Sequence, residues 1–443
     1  MRLRRLFAPL FMAAAAACAP LAPQAERPAI LFVHGNGDSA ALWMTTLWRF
    51  ESNGYDPRLL YTIDFPDPVA RATDATAQPH RSSTAEQRVA LAARVEEVLR
   101  ATGRTRLALV GNSRGGYAIR DYVRNGGGAA HVSAVVLGGT PNHGVFDWPE
   151  TLGSEFNARG AFLTQLNAGP DEVVAGVRFM TIRSDANDKY AQPDGRFLGA
   201  PGRPTGVGTD GPALKGAENV VLKGVDHRET SFSPQAFAAT WRFLTGTDPA
   251  RTDVAPEANV VLDGIVSAFA GGVPTNVPVA GATVTVYEVS SQTGERLGLP
   301  ALERVTGADG RWGPLRGRPD ACYEFELRVP GYAITHIYRS PFPRSSRVVH
   351  LRPLQFAHGE ADAGSVVSIS RPRGYFGLGR DDILLDGRVP PGIPPGVPSA
   401  SVAKLLLPPG PPRAVPSHFD GERITMRSWP AKEGHIAVAE FHY

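Results

Sequence analysis

The chain has 443 residues, which is more than one hydrophobic core usually holds, so two or three domains are expected. Hydrophobic residues make up 42% and charged residues 20%, which is an ordinary globular composition. The formal net charge is only +3 and no basic run stands out beyond the N-terminus, which argues against a nucleic-acid-binding protein.

The first 25 residues are typical of an export signal. A basic start is followed by an apolar stretch, 6–17, that is too short to span a membrane as a helix of the mature protein. Two cleavage sites fit: one before a lipidated Cys18, and one near Ala25 that releases the protein. The sequence therefore predicts a protein exported from a bacterial-type cell, which is periplasmic, secreted or lipid-anchored through Cys18, without a transmembrane helix in its mature form.

Strands and helices alternate between residues 28 and 247. Five apolar runs have the length of strands that are covered on both faces: 29–33, 106–110, 132–137, 177–182 and 219–222. The clearest helix runs from Ser83 to Leu99. It starts with a capping box of Ser83 and Glu86, and its predicted apolar face is Val89, Ala92, Val95, Val98 and Leu99. This alternation predicts an α/β domain with a doubly wound, mostly parallel sheet.

After Thr247 a polar, proline-containing linker leads into an all-β region. From residue 259 onward the sequence shows strands and turns but no helical pattern, and 281–289 alternates in the strand period. Glycine and proline turns suggest a division into 257–355 and 356–443, with a loop at 390–396 in the second part. One or two small β-sandwiches or barrels are therefore expected.

The motif that carries most chemical information is Gly111-Asn112-Ser113-Arg114-Gly115-Gly116. It follows an apolar strand and precedes a helical segment. Ser113 is therefore expected on a tight turn, where only small neighbours let the strand and the helix approach each other. Such a turn presents a nucleophilic hydroxyl. A glycine turn without catalytic role is the alternative, since a chain with 48 glycines can form the motif by chance.

Two main-chain donors are expected beside Ser113. The segment His34-Gly35-Asn36-Gly37 directly follows the first apolar strand, and its bend can aim the N–H of Asn36 into the site. The N–H of Arg114 would be the second donor. Together they form the predicted oxyanion hole, which would stabilise a tetrahedral intermediate. His34 itself is expected to be a packed structural residue.

His227 is the predicted general base. It lies in a loop after the last strand of the sheet and before the final helix, as the chain order serine, acid, histidine requires. Two carboxylates that follow the strand 177–182 qualify as the acid. Asp185 lies at the strand end, where it can bind the loop backbone. Asp188 lies further out and is preferred for its position, with Asp185 as the alternative.

These motifs resemble those of lipases and esterases of the α/β-hydrolase superfamily, over residues 29–245. Residues 111–116 match the nucleophile elbow, and 34–37 are similar to the oxyanion loop. Residues 187–193 (Asn-Asp-Lys-Tyr-Ala-Gln-Pro) and 225–227 (Val-Asp-His) are similar to the acid and histidine loops of fungal lipase B. Residues 139–144 resemble a stretch of bacterial triacylglycerol lipases. The resemblance implies the α/β-hydrolase fold and favours Asp188 as the acid.

The residues 257–355 resemble carboxypeptidase regulatory-like, transthyretin-like β-sandwiches. The resemblance rests on 279–284, 306–313 and 323–325. Archaeal lipases share this arrangement with a C-terminal β-domain that aids lipid binding, which implies a lipid or polymer surface as a partner. A structural appendage that shields the hydrolase is the alternative.

The expected function is a serine carboxylic-ester hydrolase, a lipase or esterase, that acts through an acyl-enzyme and needs no metal or cofactor. A polyester depolymerase of the polyhydroxyalkanoate type is a close alternative. A non-catalytic surface-binding protein with a hydrolase-like domain is an alternative of another class. The segment 146–166 is rich in large apolar residues, and it is predicted either as a lid over an acyl site or as a helix packed on the sheet.

Overall fold

The structure is a computed structural model that describes residues 27–443. The predicted export signal and Cys18 lie outside the described residues, so export and lipidation stay predictions. No helix among residues 27–443 is long and apolar enough to cross a membrane.

Six parallel strands form one sheet in the N-terminal part of the chain, in the order β2-β1-β3-β4-β5-β6. The strands are β1 (Ala29–Val33), β2 (Leu60–Ile63), β3 (Leu107–Asn112), β4 (Val132–Gly138), β5 (Arg178–Ser184) and β6 (Glu218–Leu222). The predicted α/β class with a parallel sheet is confirmed. Sequence reasoning missed β2, because this edge strand has four residues and only its two ends are buried.

Helices cover both faces of the sheet. They are α1 (Met44–Ser52), α2 (Thr84–Thr102), α3 (Arg114–Asn125), α4 (Ala161–Leu166), α5 (Glu229–Phe232) and α6 (Pro234–Thr245). In β1, Leu31 packs in the apolar core with α2 and α3, whereas Phe32 packs in the core with α1 and α6. This alternation follows from the two-residue period of a strand, and it explains why β1 is apolar throughout.

Helix α2 begins with the capping box that the sequence predicts. Ser83 Oγ accepts from the N–H of Glu86, and the carboxylate of Glu86 accepts from the N–H of Ser83 at 2.7 Å. The predicted apolar face was wrong at Val89, whose side chain is 65% exposed. Val95 and Val98 of the predicted face are buried, together with Leu91, because these three positions follow the helical spacing on the side that faces the sheet.

The residues after α6 form strands and short 3₁₀ turns. A seven-stranded sheet has the order β11-β10-β13-β14-β20-β15-β17, and smaller sheets pair β7 with β12, β8 with β9, and β16, β18 and β19 with one another. The strands are β7 (Val260–Leu262), β8 (Ser267–Ala270), β9 (Val273–Pro278), β10 (Thr283–Val289), β11 (Leu302–Val305), β12 (Leu315–Gly317), β13 (Cys322–Arg328), β14 (Ile334–Arg339), β15 (Ser365–Ser370), β16 (Ile383–Leu385), β17 (Val402–Leu407), β18 (Ala414–Phe419), β19 (Glu422–Arg427) and β20 (His435–Glu440). The predicted all-β character of this region is confirmed.

The large sheet crosses the boundary suggested between residues 355 and 356. β14 lies before that boundary, and it pairs in parallel with β20 near the C-terminus, in register from Ile334↔His435 to Tyr338↔Ala439. The two parts of the β-region are therefore joined by main-chain hydrogen bonds. We call residues 257–443 together the β-region.

The β-region packs on the N-terminal part through a shared apolar core. Met44 and Trp48 of α1 are buried in the same cluster as Val284, Phe325 and Phe342 of the β-region. Trp48 Nε1 also donates to the carbonyl of Ser345 at 2.9 Å. Burial of these large side chains at the junction contributes stabilisation in proportion to their apolar area, so the two parts are fixed against each other.

Candidate active site

Ser113 occupies a sharp turn between β3 and α3. Its backbone has φ 51° and ψ −123°, a conformation that is rare for a residue with a side chain. Its N–H donates to the carbonyl of Gly138 at 2.8 Å, which ties the turn to the end of β4. Strain of this kind persists only where the surroundings hold it, and it is typical of functional positions. The turn lies at the carboxyl ends of the parallel strands, where open α/β sheets bind ligands.

Two glycines of the motif allow this turn to form. A Cβ atom at Gly115 would lie 2.5 Å from the carbonyl oxygen of His34, so α3 can start this close to β1 only with glycine there. A Cβ atom at Gly111 would lie 2.6 Å from the side chain of Ile119 in α3. The motif is thus explained by the close packing of strand and helix around Ser113.

Asp188 and His227 form a hydrogen-bonded pair. Oδ2 of Asp188 lies 2.8 Å from Nδ1 of His227, and the two residues are 8% and 3% exposed. Asp188 also accepts from the N–H of Tyr190 at 2.8 Å, and the Tyr190 ring packs edge-on against the imidazole. The carboxylate is therefore fixed in the loop after β5, in a place where it holds the Nδ1 proton of His227.

Asp185, the alternative acid, lies in the same loop but binds the backbone. Its two oxygens accept from the N–H groups of Asn187 at 3.1 Å and Gly224 at 3.0 Å. Burial alone would raise the pKa of Asp185, but its hydrogen bonds outweigh that effect and lower it. Asp185 thus ties the loop after β5 to the segment before His227, and the structure brings Asp188 against the imidazole.

Ser113 and His227 line the same cavity, which has a volume of about 190 Å³. We call it the serine cavity. Nε2 of His227 is buried and has no hydrogen-bond partner among residues 27–443, and no hydrogen bond joins it to Oγ of Ser113. Leaving a buried nitrogen without a hydrogen-bond partner costs free energy, so such an atom calls for an explanation, and a catalytic role is one of them. This nitrogen is free to accept a proton.

The wall of the serine cavity is mostly apolar. Its large side chains are Val145, Phe146, Phe156, Tyr190, Leu198 and Tyr375. Within the segment predicted as a lid or a packed helix, Phe146 and Phe156 line the cavity, whereas Leu163 and Leu166 of α4 pack on Tyr117. The helical part of the segment is therefore packed against the domain, and a lid formed by the rest stays a prediction. Asp38 and Arg228 add an ion pair with an N–O distance of 2.6 Å at the cavity.

Asn36 and Arg114 are the residues whose N–H groups the sequence predicts as main-chain donors. Asn36 lines the serine cavity, and Oδ1 of its side chain accepts from the N–H of Ala70 at 2.7 Å. Among the described residues no hydrogen bond uses the main-chain N–H of Asn36. Arg114 is the first residue of α3, and the first N–H groups of a helix have no partner within it. Neither N–H group has a main-chain partner among the described residues.

The side chain of Arg114 forms a buried network that sequence reasoning missed. Its guanidinium forms an ion pair with Glu155, and the side chains of both residues are almost completely buried. It also donates to the carbonyls of Pro68 at 3.1 Å and Ser82 at 2.6 Å, while Glu155 accepts from the hydroxyl of Thr84. This network joins three separate segments directly behind the turn that carries Ser113.

His34 has the structural role that the sequence predicts. Its Nε2 accepts from the N–H of Phe65 at 3.1 Å, so its Nδ1 carries the proton and donates to the carbonyl of Gly35 at 2.9 Å. Burial lowers the pKa of His34 more than the nearby Asp64 raises it. The ring is neutral and both its nitrogens are used within the fold.

One group of side chains among residues 27–443 has the spacing of metal ligands. Glu324, Glu326 and His336 in the large sheet of the β-region place their ligand atoms within 4.8 Å of one another. However, Arg296 donates to both glutamates at 2.7 Å, and His336 lies 2.6 Å from Glu324. The carboxylates are thus already paired with cations or ring N–H groups, and we assign no metal to them.

Two family models match the chain. Residues 26–146 match the class 2 lipases, and residues 258–356 match the lipase C-terminal domain. Each match covers less than half of the chain. Together with the parallel sheet, the matches support an α/β-hydrolase of the lipase type. The first match contains Asn36, Ser113 and Arg114, and the loops of Asp188 and His227 lie beyond it.

The chain is also similar to solved structures. The product of the gene lin2722 from Listeria innocua is 15% identical, with a TM-score of 0.35 over 51% of this chain and 97% of that one. Lipase BlEst2 from Bacillus licheniformis in its propeptide form is 20% identical, with a TM-score of 0.35 over 60% and 58%. Lipase B from Aspergillus fumigatus is 15% identical, with a TM-score of 0.34 over 51% and 54%. The search among curated proteins gives no match.

Lys189 connects the acid loop of the hydrolase to the β-region. Its ammonium lies 3.8 Å from the centre of the Tyr375 ring and donates to the carbonyl of Ser399 at 3.1 Å. Burial, followed by repulsion from Arg228, lowers the pKa of Lys189 to about 8. Between about pH 8 and about pH 10.4 Lys189 therefore binds more protons in the unfolded chain than in the folded protein, and its contribution to stability rises with pH in that window.

We expect Lys189→Met to remove this pH dependence. At pH 7 the wild type bears the cost of a partly buried ammonium, which the variant lacks, whereas near pH 10 most of that cost is gone. The free energy of unfolding of the variant minus that of the wild type is therefore expected to fall by about 1–3 kcal/mol from pH 7 to pH 10. The effect is limited to this size because the ammonium remains partly hydrated. Urea unfolding at both pH values measures this, with Lys223→Met at an exposed lysine as the control. An equal difference at both pH values would contradict the argument.

Proposed function

We propose that the protein is a serine hydrolase of carboxylic esters, a lipase or esterase. One observation carries this proposal: His227 lines a single cavity with the strained Ser113, and its Nδ1 lies 2.8 Å from Oδ2 of Asp188. The unpartnered Nε2 of His227 supports it, because a general base needs a free nitrogen to take the serine proton.

In the proposed reaction, Nε2 of His227 takes the proton of Ser113 as Oγ attacks the ester carbonyl. Asp188 holds the other ring nitrogen in the protonated tautomer and stabilises the imidazolium that forms. The imidazolium then gives its proton to the leaving alcohol, and an acyl group stays on Ser113. Water attacks this acyl-enzyme with His227 again as the base, which releases the acid and restores the serine hydroxyl.

The oxyanion of each tetrahedral intermediate is proposed to bind the N–H groups of Asn36 and Arg114. Preorganised donors of this kind are worth about 3–4 kcal/mol each in the transition state. The hydrogen bond of the Asn36 side chain to Ala70 and the buried ion pair of Arg114 fix both backbones. Such fixed backbones support the proposal, because electrostatic stabilisation requires donors that are preorganised before the substrate binds.

The size of the serine cavity favours short acyl groups. Its volume of about 190 Å³ is below the range of about 300–1,000 Å³ that is usual for drug-sized ligands. A second cavity of about 390 Å³ also borders Asp188 and His227, but Ser113 lines only the smaller one. We therefore propose that the acyl group binds in the serine cavity, and that butyrate esters are better substrates than palmitate esters.

Labelling with a fluorophosphonate and hydrolysis of nitrophenyl butyrate test the proposal together. We expect Asp188→Asn to lower kcat by about 10³–10⁴-fold, because the amide favours the wrong tautomer of His227. Asp185→Asn is the matched control in the same loop, and it is expected to keep most of the activity because Asp185 binds the backbone. If the two variants exchange these results, Asp185 is the acid.

The same assays decide between this function and its alternatives. A wild type that neither reacts with the fluorophosphonate nor hydrolyses any ester would be a non-catalytic binding protein. A wild type that clears a suspension of polyhydroxyalkanoate faster than it hydrolyses soluble butyrate esters would be a polyester depolymerase.

A further inference from the structure

The β-region reaches into the serine cavity. Tyr375 is 4% exposed and lines this cavity together with Ser113 and His227, although it lies 262 positions after Ser113. It follows the strand β15 and is located beyond both segments that match the lipase models, 26–146 and 258–356. The cavity is thus built from residues of both parts of the chain.

The Tyr375 ring is held by cations that neighbour the acid and the histidine. The ammonium of Lys189 lies 3.8 Å from the ring centre, and the guanidinium of Arg228 lies 4.8 Å from it. Lys189 directly follows Asp188, and Arg228 directly follows His227. Cations at such distances from an aromatic face are attracted by its quadrupole, most strongly where water is excluded. The ring therefore has a defined place beside the acid–histidine pair.

The backbone of Tyr375 is also fixed to the histidine loop. Its N–H donates to Oδ2 of Asp226 at 2.7 Å, and Arg371 donates to the same oxygen at 2.8 Å. Arg371 and Arg380 both donate to the carboxylate of Glu229, on the other side of His227. Asp226 and Arg371 are buried, so the ion pair between them is shielded from water. These buried ion pairs hold the Tyr375 backbone firmly, because a charge that moved away from its partner would find no water to replace it.

We infer that Tyr375 is a specificity-determining residue that limits the length of the acyl group in the serine cavity. This inference rests on the proposed ester hydrolysis and deepens it. With a fixed ring and a fixed backbone, Tyr375 cannot yield to a longer chain, so acyl carbons that reach it are rejected. The β-region then selects the substrate at the catalytic serine itself, in addition to any contact that it makes with a surface.

The test compares kcat/KM for nitrophenyl octanoate and nitrophenyl butyrate in variants of the full chain. Tyr375→Ala is expected to raise the octanoate-to-butyrate ratio about tenfold, because each methylene admitted to an apolar pocket is worth about 10-fold or more. Tyr375→Trp, which adds bulk, is expected to lower the ratio. Tyr375→Phe keeps the ring and is expected to leave it unchanged, as is Tyr332→Ala, at a tyrosine of the β-region outside the cavity.

The outcome separates this inference from the proposed function. Every variant is first titrated with the fluorophosphonate, so that rates refer to folded, reactive enzyme. If the wild type is active and Tyr375→Ala and Tyr375→Trp both keep its octanoate-to-butyrate ratio, Tyr375 does not determine chain length. If Tyr375→Ala fails to fold, Tyr375→Trp decides alone. An octanoate-to-butyrate ratio in Tyr375→Trp that equals or exceeds the wild-type ratio would then show that Tyr375 does not determine chain length. If the wild type itself is inert toward the fluorophosphonate and all esters, the proposed function fails first.

Discussion

Replacing Ser113 by alanine is expected to lower kcat for nitrophenyl butyrate by about 10⁴–10⁶-fold, which is the size of the loss when a nucleophile of this kind is removed. The fold should persist. Oγ of Ser113 makes no hydrogen bond to His227, and the strained backbone is held by the N–H bond to Gly138 and by the packing of Gly111 and Gly115, which alanine leaves intact. Rates from stopped-flow absorbance and thermal unfolding by circular dichroism measure the two effects.

Ser133→Ala is the matched control for this variant. Ser133 lies in β4 and donates to the carbonyl of Leu107 at 3.1 Å, outside the serine cavity. We expect this variant to keep the wild-type rate. Ester hydrolysis by Ser113→Ala at a rate comparable to that of the wild type would mean that another group is the nucleophile, and the proposed mechanism would be wrong.

Replacing Glu155 by alanine is expected to destabilise the protein by about 3–5 kcal/mol, which is the usual cost of leaving one partner of a buried ion pair uncompensated. The side chains of Arg114 and Glu155 are 1% and 0% exposed, so water cannot replace the missing carboxylate. Because Arg114 directly follows Ser113, the proposed nucleophile, we also expect a lower kcat. Urea unfolding by tryptophan fluorescence measures the loss of stability.

A surface glutamate in the same segment provides the control. Glu150 pairs with Arg203, and both side chains are about half exposed. Exposed ion pairs of this kind contribute little to stability, so Glu150→Ala is expected to have the same free energy of unfolding as the wild type. The double variant Arg114→Met/Glu155→Leu is expected to recover much of the stability lost in Glu155→Ala, since apolar groups of similar size can replace a buried pair. A double variant as unstable as the single one would show that the cost comes from packing alone.

The part of the site around Ser113 could be predicted because its signal is local. The strand, the glycines, the serine and the following helix are contiguous in β3 and α3, so one stretch of sequence contains the whole turn. The capping box of α2 is equally local. The edge strand β2 and the exposed Val89 escaped prediction, because short strands and single helix positions depend on what packs against them.

The residues alone favoured Asp188 over Asp185 as the proposed acid, but they left Asp185 open. Asp185 and Asp188 are three positions apart, carry the same group and follow the same strand. The structure distinguishes them. The carboxylate of Asp185 accepts a hydrogen bond from the N–H of Gly224, whereas that of Asp188 lies next to Nδ1 of His227. That difference depends on how the loops after β5 and β6 meet, and neither loop determines it alone.

The sequence by itself determined the parallel α/β sheet, the turn of Ser113 and the all-β character of residues 257–443, because hydrophobic periodicity and glycine spacing act over a few residues. Only the tertiary structure decided which carboxylate meets His227, that Arg114 is paired with Glu155, and that Tyr375 lines the serine cavity. These contacts join residues 39, 41 and 262 positions apart. At such separations the geometry is set by the packing of whole elements, since the chain between the partners imposes almost no constraint on where they meet.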